Sequence, residues 1–283
     1  MLAAVQLLNG LTFAALLFLV ASGFTLIFGL MGIVNLAHGA MYLVGGYTAY
    51  AVATATSSLL AGLVAAAVLV ALLGLVEQAL LRFVAGNELR QVLLTLGLGL
   101  MLNDGALVIF GGDTLNVPIP EWLQGPLQVG GLYYPRYRLF VFGVGVLVFV
   151  LLWLIVNRTR LGALIRAGVD DAETVQALGI NIRLVFVITF MFGMALAGIA
   201  GALGGAFLSL YPTADSEILV YSLAVVIIGG RGSLVGAALG SLAVALLSTF
   251  GQVWFPELSY FVIFGPMALL LAFRPHGLFG QPT

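Results

Sequence analysis

Few side chains in this chain can do chemistry, and most of them stand in apolar surroundings. Asn35 and His38 lie three residues apart in a run that also holds Gly29, Gly32, Gly39, Gly45 and Gly46. One helical turn separates them, so both can face the same space. A helix interrupted at those glycines would expose backbone groups that a polar solute or water can satisfy, which makes Asn35, His38 and Gly39 candidates for a passage. A competing reading gives the two side chains hydrogen bonds to a neighbouring helix, where they hold the interruption in place. A metal site or proton relay is a third, but no cysteine and no other histidine or carboxylate stands at ligand spacing.

Asn103 and Asp104 stand inside another apolar run, where an ionised carboxylate costs at least about 2.5 kcal/mol. Either they belong to a passage, or Asp104, past the middle of its run, reaches the interface or pairs with another subunit. Glu77 lies near Arg82 at the end of its run and is expected to snorkel or pair there.

The elements that must position these residues are legible from hydropathy. The chain is 62% hydrophobic and 7% charged, with a mean hydropathy of +1.19, whereas a soluble domain carries about a quarter charged residues. No charged side chain precedes Glu77. Apolar runs predict spans near 7–30, 35–56, 59–81, 91–110, 138–156, 184–210, 219–230, 236–252 and 258–273, so the expected fold is an all-α polytopic membrane protein. About 8–10 helices are expected, with broken or re-entrant Gly-rich segments. Gly229 to Gly240 could mirror Gly29 to Gly46 in an internal repeat. The whole of 1–283 reads as one transmembrane domain. The N-terminus has no positive residue before its apolar run and reads as a retained span.

All ten basic residues are arginine. Arg82, Arg90, Arg158, Arg160, Arg166, Arg183, Arg231 and Arg274 fall on one side of the spans, and only Arg136 and Arg138 on the other. Cytoplasmic loops carry the basic excess, which puts the C-terminus inside and the N-terminus outside. The longest outer loop, 111–138, mixes four prolines with Trp122, Tyr133, Tyr134 and Tyr137, as an interfacial aromatic belt or a docking surface for an extracytoplasmic partner would. Gly193, Ala197, Gly201 and Gly205 share one helix face, as do Gly232, Gly236 and Gly240, the pattern of close helix packing.

Inner loop 158–183 is the longest strongly polar stretch between spans. Asp170 can cap a short helix there, Glu173 follows three residues on as in a capping box, and Gly179 suits a left-handed terminus. Such a helix is either an ordinary solvated loop helix or a rigid peg that passes a soluble motor's movement into the spans.

The loop pattern of Gly162, Arg166, Ala167, Asp171, Leu178, Gly179, Ile180 and Asn181 resembles the ATPase-docking loop of branched-chain amino acid importer permeases. GLMGIVNLAHGAMYLVGGY from Gly29, VIIGGRGSLVGAALGS from Val226 and RPHGLFG from Arg274 are similar to three further segments of that family, in the same order. The resemblance covers essentially the whole chain and is strongest to the LivH-type member of the paired permeases. Ala40 departs from the acidic residue of many relatives, and Arg231 from an aliphatic one. The resemblance implies an ABC importer of the bacterial or archaeal inner membrane with a LivM-like second permease, two cytoplasmic ATPases and an extracytoplasmic binding protein. It also implies ATPase coupling through loop 158–183, by the residues above with Asp170 and Glu173. ATP would act on the partners, and no cofactor and no nucleic acid is expected on this chain. The absence of any Gly-x-x-x-x-Gly-Lys loop fits this, since there is no lysine.

Urea or short amides are alternative cargoes within the class. A stand-alone channel or secondary transporter is a further alternative, for which more intramembrane carboxylates are expected. A membrane enzyme would need paired carboxylates, cysteine or a Ser-His-Asp set that the pattern does not offer.

Overall fold

In a bilayer, a long uncharged run can satisfy its backbone groups only with one another, and this chain does so as helices. The computed structural model describes residues 2–129, 131–230, 232–274 and 277–279. Arg231 therefore lies outside the described residues, as does part of the C-terminal RPHGLFG segment. The helices are α1 (Leu2–Met31), α2 (His38–Thr56), α3 (Leu59–Leu81), α4 (Glu88–Phe110), α5 (Arg136–Arg158), α6 (Arg160–Asp170), α7 (Ala172–Ala177), α8 (Ile182–Phe207), α9 (Ala214–Gly229), α10 (Leu234–Trp254) and α11 (Ser259–Phe273). All but the short α6 and α7 correspond to the nine expected runs. Six helices are long and apolar enough to cross a membrane, namely α1, α3, α4, α5, α8 and α10. The 16 residues of α9 and 15 of α11 extend only about 22–24 Å, short of a ~30 Å hydrocarbon layer.

Small residues decide which helices sit inside. Helix α8 packs against α1, α2 and α3, and its glycines remove the side chains that would hold the backbones apart. A Cβ on Gly201 would collide with the Tyr42 carbonyl on α2, and one on Gly193 would approach the Gly23 carbonyl on α1. Gly229 of α9 and Gly236 of α10 meet each other's backbone in the same way. Gly193 and Gly201 of α8 and Gly236 and Gly240 of α10 thus do the close packing expected of them, whereas Gly232, at φ 72°, is a turn residue before α10 begins and shares no helix face with the latter two. Helices α3, α4 and α5 turn mostly outward, with large apolar side chains such as Leu60, Met101 and Leu147 exposed.

Loop 111–135 folds over one end of this bundle. It contains an antiparallel pair, β1 (Pro126–Val129) and β2 (Leu132–Pro135), in register Leu127 to Tyr134. Leu115 and Leu210 exchange backbone hydrogen bonds, and the Val117 N–H donates to the Gly205 carbonyl, so the loop is stitched to the far end of α8. Tyr137 adds a buried bond from its hydroxyl to the Leu203 carbonyl at 2.8 Å. Trp122 and Tyr133 stay exposed.

Candidate functional site

Between α1 and α2 the chain leaves helical geometry over residues 32–37. Gly32 at φ 66° makes the turn that ends α1, a backbone shape that costs a residue with a Cβ. The segment is held from two sides and braced internally. The Leu36 N–H donates to the Thr95 hydroxyl on α4 at 3.2 Å, the Asn35 carboxamide oxygen accepts from the Ala37 N–H at 2.9 Å, and His38 Nε2 meets the Val20 carbonyl of α1 at 3.0 Å. The edge of one ring also meets the face of the other where His38 packs on Phe24, 5.3 Å between centroids. Asn35 and His38 are both fully buried.

Half the polar capacity of this segment is left open. Asn35 Nδ2 and His38 Nδ1 are buried with no hydrogen-bond partner, and so are both carboxylate oxygens of Glu77 on α3. The Asn35 amide lies beside that carboxylate without completing a hydrogen bond to it. Glu77 is 1% exposed, so it does not snorkel, and it forms no ion pair with Arg82, whose guanidinium donates to Gln78 at 3.2 Å. The reason is helical phase. Glu77 sits on the α3 face turned toward the break, and Arg82 lies beyond the helix end. Sequence reasoning left Glu77 out of the site because the nearby arginine offered a simpler partner.

The other intramembrane pair divides. Asn103 lies beside the Asp215 carboxylate at the start of α9, and Gly39 leaves room for the Asp215 backbone, which a Cβ would strike. Asp104 is exposed on α4 and does not join them. Asn35 therefore lies with Glu77, His38 is held against α1 by Val20 and Phe24, and Gly39 and Asn103 belong to a second cluster around Asp215. The acidic residues that organise both were not among the sequence candidates. Among the described residues no group of three or more His, Asp or Glu could hold a metal ion.

The inner loop holds two helices where one is expected. Helix α6 starts on a Thr159 cap that accepts from the Gly162 N–H at 3.2 Å. The cap of α7 is Asp171, not Asp170: Asp170 is the last helical residue of α6, while Asp171 is extended and accepts from the Thr174 N–H at 2.9 Å. The capping-box position thus falls to Thr174, and the side chains of Asp170 and Glu173 lie outside the described residues. Gly179 ends the turn at φ 80° as expected. Gly162 and Arg166 secure the corner between α5 and α6. A Cβ on Gly162 would strike the Val156 carbonyl, and the Arg166 guanidinium donates to that same carbonyl. Asn181 caps α8 by accepting from the Leu184 N–H at 3.2 Å. Ala167 and Ile180 pack with Ile165, Val175, Ile182 and Val185 in a small apolar cluster that also takes in Met31, the last residue of α1. Leu178 is left outward, 73% exposed.

A family model described as the permease component of branched-chain amino acid transport systems matches residues 6–271. The chain belongs to this family. The permease is 30% identical to the high-affinity branched-chain amino acid transport system permease protein BraD of Pseudomonas aeruginosa, over 98% of this chain and 95% of that protein. It is 27% identical to the LivH permease protein of the corresponding system of Escherichia coli, again over 98% and 95%. The ribose import permease RbsC of Escherichia coli is 27% identical over 90% of this chain and 80% of its own. No solved structure matches the permease. Family and helices together make it a multi-pass protein of the inner membrane and a transport subunit.

Proposed function

We propose that this permease is the LivH-type subunit of an ABC importer for branched-chain amino acids, pairing with a LivM-like second permease. Two cytoplasmic ATPases hydrolyse ATP, and an extracytoplasmic binding protein delivers the cargo. The reaction is solute passage; no bond is made or broken on this chain. The observation that carries the reading is the match to the family over residues 6–271, supported by relatives at 26–30% identity along nearly the whole chain.

The geometry supports a division of labour. The arginine-rich side is cytoplasmic, with the N-terminus outside, and there α7 docks an ATPase through Leu178 and its exposed neighbours Gln176 and Ala177. Every other described side chain of the loop motif already has a partner or a packing place inside the chain. Helix α6 rests on Met31, so motion of the loop reaches the residue before the break at 32–37. Asn35, His38 and Gly39, with Asn103, line or gate the passage from that break. Asp104, exposed inside its span, faces the second permease.

The test is affinity purification of the permease through a C-terminal tag from native membranes in mild detergent, followed by reconstitution with ATP and radiolabelled leucine. Recovery of two nucleotide-binding subunits and a second permease, with ATP-dependent uptake, is the expected outcome. A chain recovered alone that passes solute without ATP would replace the importer with a gradient-driven facilitator.

A further inference from the structure

At the opposite end of α8 from α7, a cavity of about 130 Å³ opens between α1, α2, α9, α10 and the turn joining α8 to α9. Its lining mixes the apolar Phe13, Leu208 and Ile218 with the polar Tyr42, Glu217 and Gln252. The polar side is tied down. The Tyr211 hydroxyl donates to Glu217 Oε2 at 2.8 Å, and the Gln252 amide donates to the Ser248 hydroxyl at 3.2 Å. The turn itself is strained: Ser209, which also lines the cavity, stands at φ 71°, held there by a 2.8 Å bond from its hydroxyl to Asn116. A residue with a Cβ in left-handed geometry costs of order 1–3 kcal/mol and persists where surrounding contacts enforce it, often at ligand sites.

The chemistry of the lining selects a ligand class. Glu217 forms no ion pair among the described residues, so its carboxylate is open to a cation. One amide hydrogen of Gln252 and the Tyr42 hydroxyl can donate to an anionic group. Phe13, Leu208 and Ile218 offer a surface that a bare cation or a sugar would leave unused. An apolar cavity of about 150 Å³ takes benzene, so this one has room for a branched side chain of three or four carbons with its polar head at the mouth. We infer that the cavity is a binding subsite for a small aliphatic amino acid, its ammonium on Glu217 and its side chain against Phe13, Leu208 and Ile218. This rests on the importer reading above and adds to it a station on this chain, next to the surface where a binding protein would release its cargo.

Saturation-transfer NMR on the whole complex in nanodiscs, without the binding protein, tests it with L-leucine and with 4-methylpentanoate, which lacks the amino group. Leucine methyl signals should be saturated by the wild-type complex. Glu217→Gln should weaken leucine about tenfold, the size of one lost charge-assisted contact, and leave 4-methylpentanoate unchanged. Leu208→Trp should abolish both by filling the cavity; if that variant does not assemble, Glu217→Gln decides, since Glu217 is exposed and its replacement disturbs no packing. Leucine binding unaltered in Glu217→Gln, or no leucine binding by a complex that imports leucine, overturns the subsite. Absence of leucine import by the wild-type complex with its binding protein refutes the importer reading instead.

Discussion

At the scale of single residues, the break between α1 and α2 rests on an incomplete pair. An unsatisfied buried polar atom costs about 1–3 kcal/mol, and here Asn35 Nδ2 and both Glu77 oxygens are unsatisfied together. Groups left this way in a lipid environment are tolerated where they serve each other or a passing solute. The Asn35 amide is the donor nearest at hand for the Glu77 carboxylate, so the two act as one unit. Asn35→Ala and Glu77→Ala should therefore be strongly non-additive in thermal unfolding of the solubilised permease. The expected coupling is about 0.5–3 kcal/mol, the range seen for contacting polar residues. Additive losses would separate the two residues and leave Glu77 a plain core group. Both single variants should also slow leucine uptake while the complex still assembles; loss of assembly would make the pair a fastener of the fold and nothing more.

At the scale of elements, the inner loop shows how much a short motif can owe to its own geometry. Gly162 and Arg166 hold a corner, Asp171 and Asn181 cap helices, and Gly179 supplies a left-handed turn, which leaves Leu178 for a partner. Two variants separate these roles. Asp171→Ala removes a cap worth about 0.5–2 kcal/mol and should loosen α7, lowering the leucine imported per ATP hydrolysed by the reconstituted complex. Leu178→Asp changes an exposed side chain, so it should leave the permease's melting temperature alone and lower the amount of ATPase that co-purifies with it. Equal ATPase recovery from Leu178→Asp and wild type would remove Leu178 from the docking surface.

The nine long helices were legible because lipid enforces one rule over 15 or more residues, and a charge or a glycine cluster marks where the rule stops. Helix α6 was not expected because only the stretch after Asp170 carries a recognisable cap and stop, and the close approach of Gly162 to the Val156 carbonyl that shapes the start of α6 leaves no such mark in the sequence. The Asp170 cap missed by one residue because two aspartates stand in succession and only the backbone decides which one is extended. Glu77 and Asp215 escaped as site residues because their partners, Asn35 and Asn103, are far away in sequence, and hydropathy reports depth but not which face a side chain takes.

At the scale of the molecule, the proposed reading gives the two ends opposite work: α7 and the arginine-rich turns at one, the cavity and the stitched loop 111–135 at the other. The orientation proposed from the arginines can be checked directly, because the chain has no cysteine of its own. A Leu178→Cys variant should react with a membrane-impermeant maleimide only in inside-out vesicles, and a Glu121→Cys variant only in intact cells. The reverse pattern would turn the permease over in the bilayer and give the cavity to the cytoplasm.

Met31 joins the inner loop to the bundle beside the break. It packs into the loop's apolar cluster with Ile165 and Val175, and equally into the bundle cluster that holds Ile33 and Met41. Met31 is shared by the two clusters and lies in the last turn before the chain unwinds, so a tilt of the loop would bear on that turn. A coupling of this kind works in both directions. A solute that straightens or bends residues 32–37 would press back on the loop through the same methionine, so occupancy of the passage could set the posture in which the loop meets its motor. The joint would then serve as a sensor as much as a drive shaft.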